Sequence, residues 1–461
     1  MIVRPNNDGA MPAVKQCLRS SVIGLTTVLF VACGDAPSPQ ALPTTLTAEV
    51  VIHCGTLIDG ISDKPLIDQV ILVDQARIRS VVSADQLGVS ATEERAHIDL
   101  REFTCLPGLI NTHVHFDGNP EDSVDYSIYA RRTAAENLAL VLANAKTTLL
   151  TGFTTVRHVG AWFPNAVYQA RDKIRAGEAI GPRILTAGPY LTIPGGGGDL
   201  TFPEIPVDQI PPESQLGIAS TSQQFAQRAE AAIAGGADFL KVIASGAVFS
   251  LGTDPGAPEM SQADIAAVVK VAKQYDKQVT AHVHSDQSGR DAILAGVDSL
   301  EHASLLDDAT IALAHQRGVA LSMDIYNGTY TDTIGRSQGY PEIFLQRNTQ
   351  TTEAQRAVFK KAYAAGVTLL YGTDAAVLPH TMGGWQFATM IEHGMTPMEA
   401  IRSATSVAAD HLRIDADVGA VIPGRQADII AVKVDPLTDP LSLRDVDVVI
   451  QAGIVVKQPP L

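Results

Sequence analysis

Residues 106–115 read Leu106-Pro107-Gly108-Leu109-Ile110-Asn111-Thr112-His113-Val114-His115. Pro and Gly interrupt whatever precedes them, a short apolar run follows, and two histidines one residue apart close it. Side chains alternate across an extended strand, so His113 and His115 face the same side of the chain. Working outward from this run (108–111), seven further strand-like stretches occur at 154–157, 183–187, 239–243, 278–281, 299–301, 319–323 and 368–371. Helical patterns separate them. In 261–275, for example, Ile265, Val268, Val269 and Ala272 recur at helical spacing behind a Ser cap. Such alternation predicts parallel βα units, and eight of them close a barrel. The expected fold class is α/β, a (β/α)8 TIM barrel over residues 108–414.

In barrels of this kind the chemistry sits at the C-terminal ends of the strands. Strand one runs into His113 and His115, strand four ends at Lys241, strand five at His282, strand six at His302 and strand eight at Asp374. A single His or Lys beside a strand is more often a hydrogen-bonded structural group. Repetition at the same end of five strands instead predicts a metal centre.

With 461 residues and 46% hydrophobic content the chain can bury a large core. A net charge of −16 repels phosphate backbones, which argues against nucleic acid as a partner. Cys17, Cys33, Cys54 and Cys105 form no close-spaced pair of the kind structural zinc sites use. Residues 1–32 read as a secretion signal: Lys15 and Arg19 precede an apolar run that stops at Cys33. Small or apolar residues before that Cys resemble a bacterial lipobox, with Cys33 as the lipidated residue and a means of membrane attachment. Phe30 stands where Leu is usual, so plain cleavage stays open. Residues 33–48, rich in Pro, Ser and Thr, read as a tether. The expected location is therefore outside the cytoplasm, periplasmic or membrane-anchored. Short β-type runs at 50–53, 69–73 and 78–82 and again at 428–432, 446–450 and 454–457 predict that segments 49–107 and 415–461 pack into one β-sandwich. Cys54 and Cys105 both fall near it, and export allows a disulfide between them. Sequence does not give the separation such a bond needs. It leaves the oligomeric state, a homo-oligomer included, open.

With these runs the chain resembles the amidohydrolase superfamily, in the branch with a carboxylated lysine that includes prolidase-like dipeptidases and ochratoxin-hydrolysing amidases. The resemblance spans residues 49–457. It is carried by the 106–115 stretch, Lys241-Val242-Ile243-Ala244-Ser245-Gly246, Thr280-Ala281-His282-Val283-His284, Glu301-His302 and Gly372-Thr373-Asp374-Ala375. It implies that carboxylated Lys241 bridges two divalent ions, usually zinc. His113, His115 and Asp374 would then hold one ion, and His282 and His302 the other. Nitrogen and oxygen ligands suit zinc, and also manganese or cobalt. The resemblance further implies attack by a hydroxide bridging the ions, with Asp374 as general base and acid. The expected substrate is a small amide, either a dipeptide or an N-acyl amino acid.

Tyr326, just past strand seven, is a candidate hydrogen-bond donor to substrate, and equally a rim tyrosine with its hydroxyl in water. His284 faces the same side as His282 and is a candidate substrate or supporting group. His380, on the loop after strand eight, is either a substrate contact or an ordinary exposed histidine. Arg157 and His158 end strand two, where relatives more often carry Asp or Asn at the second position. Several relatives carry His where Gly197 stands, within Pro194-Gly195-Gly196-Gly197-Gly198-Asp199. Two alternatives remain: hydrolysis of another C–N bond (cyclic amide, carbamate or urea), and a non-catalytic binding lipoprotein.

Overall fold

The computed structural model describes residues 49–86, 96–203 and 205–458. The expected signal segment and tether, Cys33 included, lie outside the described residues. Four strands open the described chain: β1 (Val50–Leu57), β2 (Leu66–Asp74), β3 (Arg77–Ser83) and β4 (Ala96–Pro107). Eight short ones follow: β5 (Leu109–Val114), β6 (Phe153–His158), β7 (Arg183–Thr186), β8 (Leu240–Ile243), β9 (Val279–Val283), β10 (Ser299–His302), β11 (Ala320–Met323) and β12 (Leu369–Tyr371). Three close it: β13 (Ile429–Val432), β14 (Val448–Gln451) and β15 (Ile454–Lys457).

The two chain ends share one sheet, in the order β15-β14-β13-β4-β1-β2-β3. Its seam is the antiparallel pairing of β4 with β13, where Ile429 faces Pro107 and Ala431 faces Cys105. The sandwich was expected from two groups of strands. The described strands instead join edge to edge in a single seven-stranded sheet, because β4 pairs with β1 on one side and β13 on the other. Cys54 on β1 and Cys105 on β4 are disulfide-bonded, with α-carbons 6.0 Å apart, inside the normal span for such a bond. Both are buried in this sheet's apolar cluster with Ile52, Ile71 and Ile429.

The eight middle strands are all parallel, in a five-stranded sheet β12-β11-β10-β9-β8 and a three-stranded sheet β5-β6-β7. Isolated parallel bridges link the two, Val114 to Ala375 at one seam and Leu191 to Val242 at the other. Strands β5, β6, β8 and β9 are buried along their whole length, as parallel strands covered by helices require. Helices fill the intervals, among them Gln262–Gln274, whose N-cap Ser261 accepts from Asp264 N in a capping box. Chain passes directly from β4 to β5 through Gly108. A Cβ there would lie 2.2 Å from Thr154 Oγ1, so only glycine lets β5 settle against β6.

Candidate metal centre

His113, His115, Lys241, His282, His302 and Asp374 all line one cavity at the C-terminal ends of the parallel strands. Strand register assembles them. Lys241 pairs with Thr280 and Ile243 with His282, while His282 pairs in turn with Glu301. Lys241 is the second residue of β8 rather than its end, and is sunk between the strands. It is 1% exposed, and among the described residues it has no hydrogen-bond or ion-pair partner. Burial pushes its amine down to about 8.

Supporting hydrogen bonds fix which nitrogen each imidazole offers to the cavity. His113 Nδ1 is 2.8 Å from Glu301 Oε2, His302 Nδ1 is 2.9 Å from Asp324 Oδ1, and His115 Nδ1 is 2.9 Å from Gly160 O. Each Nε2 is thereby left for a ligand, in the carboxylate–histidine manner of metal sites. His282 is turned the other way, its Nε2 3.4 Å from Gly246 O, which leaves Nδ1. Asp374 Oδ1 lies 3.3 Å from His113 Nε2 and 3.4 Å from His115 Nε2. His302 and Asp374 hold left-handed backbone, with φ of 64° and 55°. Such strain persists where surrounding structure imposes it, and it clusters at functional sites.

Single donor atoms of His113, His302 and Asp374 lie within 4.8 Å of one another, and so do those of His282, His284 and His302. His284 thus belongs to the cluster by distance. Its ring stacks on His302 at 4.8 Å, and its Nδ1 bonds Ser304 Oγ at 2.8 Å. Electrostatics also fit cations. Burial lowers His113, but the carboxylates of Asp374 and Glu301 on either side outweigh it and raise the imidazole, marking a place that attracts positive charge. Burial pushes His115 and His284 down to about 3, so both are neutral and able to ligate. Burial works to raise Asp374 as well. The adjacent His113, with His115 and His302, holds it far below the carboxylate range, ionised.

Two of the residues singled out for substrate contact are placed elsewhere. Tyr326 is half-buried beside Trp385, with ring centres 5.8 Å apart, and is not among the cavity-lining residues. His380 is buried rather than exposed; its Nε2 is 3.2 Å from Gly118 O, its ring packs on Phe116, and it too is off the cavity wall. Gly197 does line the cavity, its N–H donating to Glu259 at 2.9 Å.

The supporting residues were not assigned roles from the sequence. Glu301 is fully buried and receives Arg157 Nη2 at 2.5 Å, Thr280 Oγ1 and His113. Asp324 receives Gln355 Nε2 at 2.7 Å besides His302. An acid on a buried strand beside a candidate ligand histidine was the available signal for Glu301, and an acid following strand seven for Asp324.

A cluster of imidazoles and carboxylates at the strand ends of a parallel α/β body is the arrangement of a cation-assisted hydrolase. Residues 104–456 match the model of the amidohydrolase family; the chain belongs to that family and is a hydrolase acting on C–N bonds. It is 27% identical to an ochratoxinase of Aspergillus niger over 431 residues, 87% of this chain and 85% of that protein. A solved Xaa-Pro dipeptidase with methionine bound in its active site superposes with a TM-score of 0.82 at 33% identity, covering 88% of this chain and 99% of that one. A prolidase complexed with N-methylphosphonate-L-proline gives 0.81 at 25% identity, covering 89% and 99%.

Proposed function

We propose that this chain is a binuclear metal-dependent amide hydrolase acting on peptide or N-acyl amino acid bonds. The observation that carries it is Lys241, a side chain 1% exposed, without a hydrogen-bond partner among the described residues, and ringed by histidines and Asp374. An ammonium so placed is costly, whereas a carbamate formed with carbon dioxide would supply two oxygens able to ligate cations. His113, His115 and Asp374, whose ligating atoms lie 3.3 and 3.4 Å apart, would hold one ion, and His282 and His302, with His284 beside them, the other. Zinc suits this nitrogen and oxygen set. Ions bound there would activate a water at neutral pH and polarise the scissile carbonyl.

Asp374 is the group that moves the proton. Its Oδ2 is oriented by Asn327 Nδ2 at 3.3 Å, and its ionised form can accept a proton and return it to the leaving amine. Glu301 and Asp324 hold two imidazoles in the ligating tautomer.

The two parallel sheets are read as one closed (β/α)8 barrel over 108–414, a reading supported by the bridges at both seams. Export is part of the proposal, supported by the disulfide, since such bonds persist in oxidising compartments. The test is a panel of dipeptides and N-acyl amino acids with zinc and bicarbonate present, reading released amino acid. Metal-dependent release is expected. No release across the panel from protein carrying its metals overturns the reading.

A further inference from the structure

Besides the histidines, the cavity is lined by aromatic residues. Tyr126, Tyr129, Trp162, Tyr190 and Phe249 line it, next to the backbone of Gly197. Two of the polar tips are engaged as donors by protein. Trp162 Nε1 donates to Gly198 O at 2.9 Å and Tyr126 Oη donates to Phe249 O at 3.2 Å, while Tyr190 Oη is 2.9 Å from His115 Nδ1. What Trp162 and Tyr126 offer a ligand is therefore ring carbon. The rings also brace one another: Tyr129 meets Trp162 edge-on at 4.6 Å, and Trp162 meets Tyr190 at 5.8 Å. Tyr190 reaches this position only because residue 160 is glycine, since a Cβ there would lie 2.5 Å from its ring. Where Gly197 closes the wall there is no side chain at all, which leaves a flat-sided slot.

Positive charge is withheld from the same space. Among the described lining residues Lys241 is the only Lys or Arg, while Asp117, Asp324 and Asp374 are acids. Nearby guanidiniums are spent on the protein. Arg157 bonds Glu301 and Thr112 O; Arg347 holds the carbonyls of Ala247, Ser250 and Gly252; Arg132 pairs with Asp122 at 2.6 Å behind Tyr129. A substituent entering the slot meets desolvating rings and no Arg or Lys besides Lys241 among the described lining residues, so apolar groups are favoured over anionic ones there.

We infer that the aromatic slot selects the substrate: it takes a flat or bulky uncharged apolar substituent, so the preferred substrates are amides bearing an aryl or large aliphatic group rather than small or acidic ones. This rests on the amide-hydrolase reading above and deepens it. A test that separates the two uses both hydrolysis and binding. For hydrolysis, the amides compared share the same scissile bond and carry phenyl, methyl or carboxylate as the variable group, placed on the acyl side in one series and on the amine side in another. In at least one series the phenyl compound is expected to exceed the methyl one at least tenfold in kcat/KM, with the carboxylate compound lowest, and Trp162→Ala should collapse the phenyl-to-methyl ratio toward one. A flat or inverted order in both series overturns the inference while leaving the amide-hydrolase reading standing. For binding, the Trp385→Phe protein keeps Trp162 as its one indole, since the chain has two. Its fluorescence is titrated with phenylacetamide, acetamide and succinamate, which reports occupancy without turnover. Binding of phenylacetamide at least tenfold tighter than either of the others is expected even if no amide is cleaved. Equal or weaker binding of phenylacetamide overturns the inference by itself.

Discussion

Replacing Arg157 with Met should be among the most damaging single changes in the molecule, although Arg157 touches neither the cavity nor any candidate ligand directly. Its guanidinium makes three buried contacts: Nε to Thr112 O at 2.7 Å, Nη1 to Ser299 Oγ at 3.1 Å and Nη2 to Glu301 Oε1 at 2.5 Å. Glu301 is 0% exposed, and burial works to raise its carboxyl. Arg157, with His113 and Lys241, outweighs that and holds it well below its ordinary 4.5. Removing one partner of a buried pair costs about 3–5 kcal/mol, because the other charge stays behind uncompensated. At about 1.4 kcal/mol per decade that lowers the folding equilibrium constant roughly a thousandfold. The pH dependence follows with a definite sign. A depressed carboxyl contributes stability that is present above its unfolded value, 4.5, and is lost as pH falls below it. In Arg157→Met the folded-state carboxyl rises toward 4.5 or above it, so this contribution shrinks and the variant should lose less stability on acidification than wild type. Urea unfolding from pH 4 to 8 measures both effects, and Arg157→Met/Glu301→Gln should recover much of the stability by removing the stranded charge. A variant within about 1 kcal/mol of wild type at pH 7 would refute the reasoning, since surface changes alone fall in that range.

Two further outcomes test other parts of the account. Cys54 and Cys105 close a loop of 51 residues, for which chain entropy gives about 4 kcal/mol; denaturant midpoints with and without reductant should differ accordingly, and Cys54→Ser should abolish the difference. Gly197→His puts a Cβ 3.1 Å from Ala247 Cβ and an imidazole into the slot, so rates on a dipeptide panel should fall and selectivity should shift by about tenfold; an unchanged panel removes the role given to this loop.

All eight parallel strands fall within one to three residues of where apolar runs put them, because each is a short stretch buried on both faces and bounded by Gly, Pro or a cap. Pairing was less legible. Strand texture at the chain ends marks β1 to β4 and β13 to β15, but nothing local tells β4 to bond both β1 and β13, so a sandwich was expected where one sheet forms. The cavity ligands were legible because they sit on strands, or within three residues of a strand end, whose register is set by the core. Tyr326 and His380 sit on loops after strands seven and eight, where no periodicity fixes direction, and neither is among the cavity-lining residues. The contacts that hold the ligands were hidden for another reason. Glu301 meets Arg157 from β6, and Asp324 meets Gln355 from the helix Glu342–Ala364, pairs that arise only when strands and helices far apart in sequence come together.

Lys241 carries the central claim, and metal content measured together with activity tests it most directly. Protein purified with zinc and bicarbonate should hold two ions per chain and hydrolyse amides. Lys241→Ala should lose activity together with one or both ions, since the bridge between them is gone. A Lys241→Ala protein that keeps two ions and full activity would contradict the account.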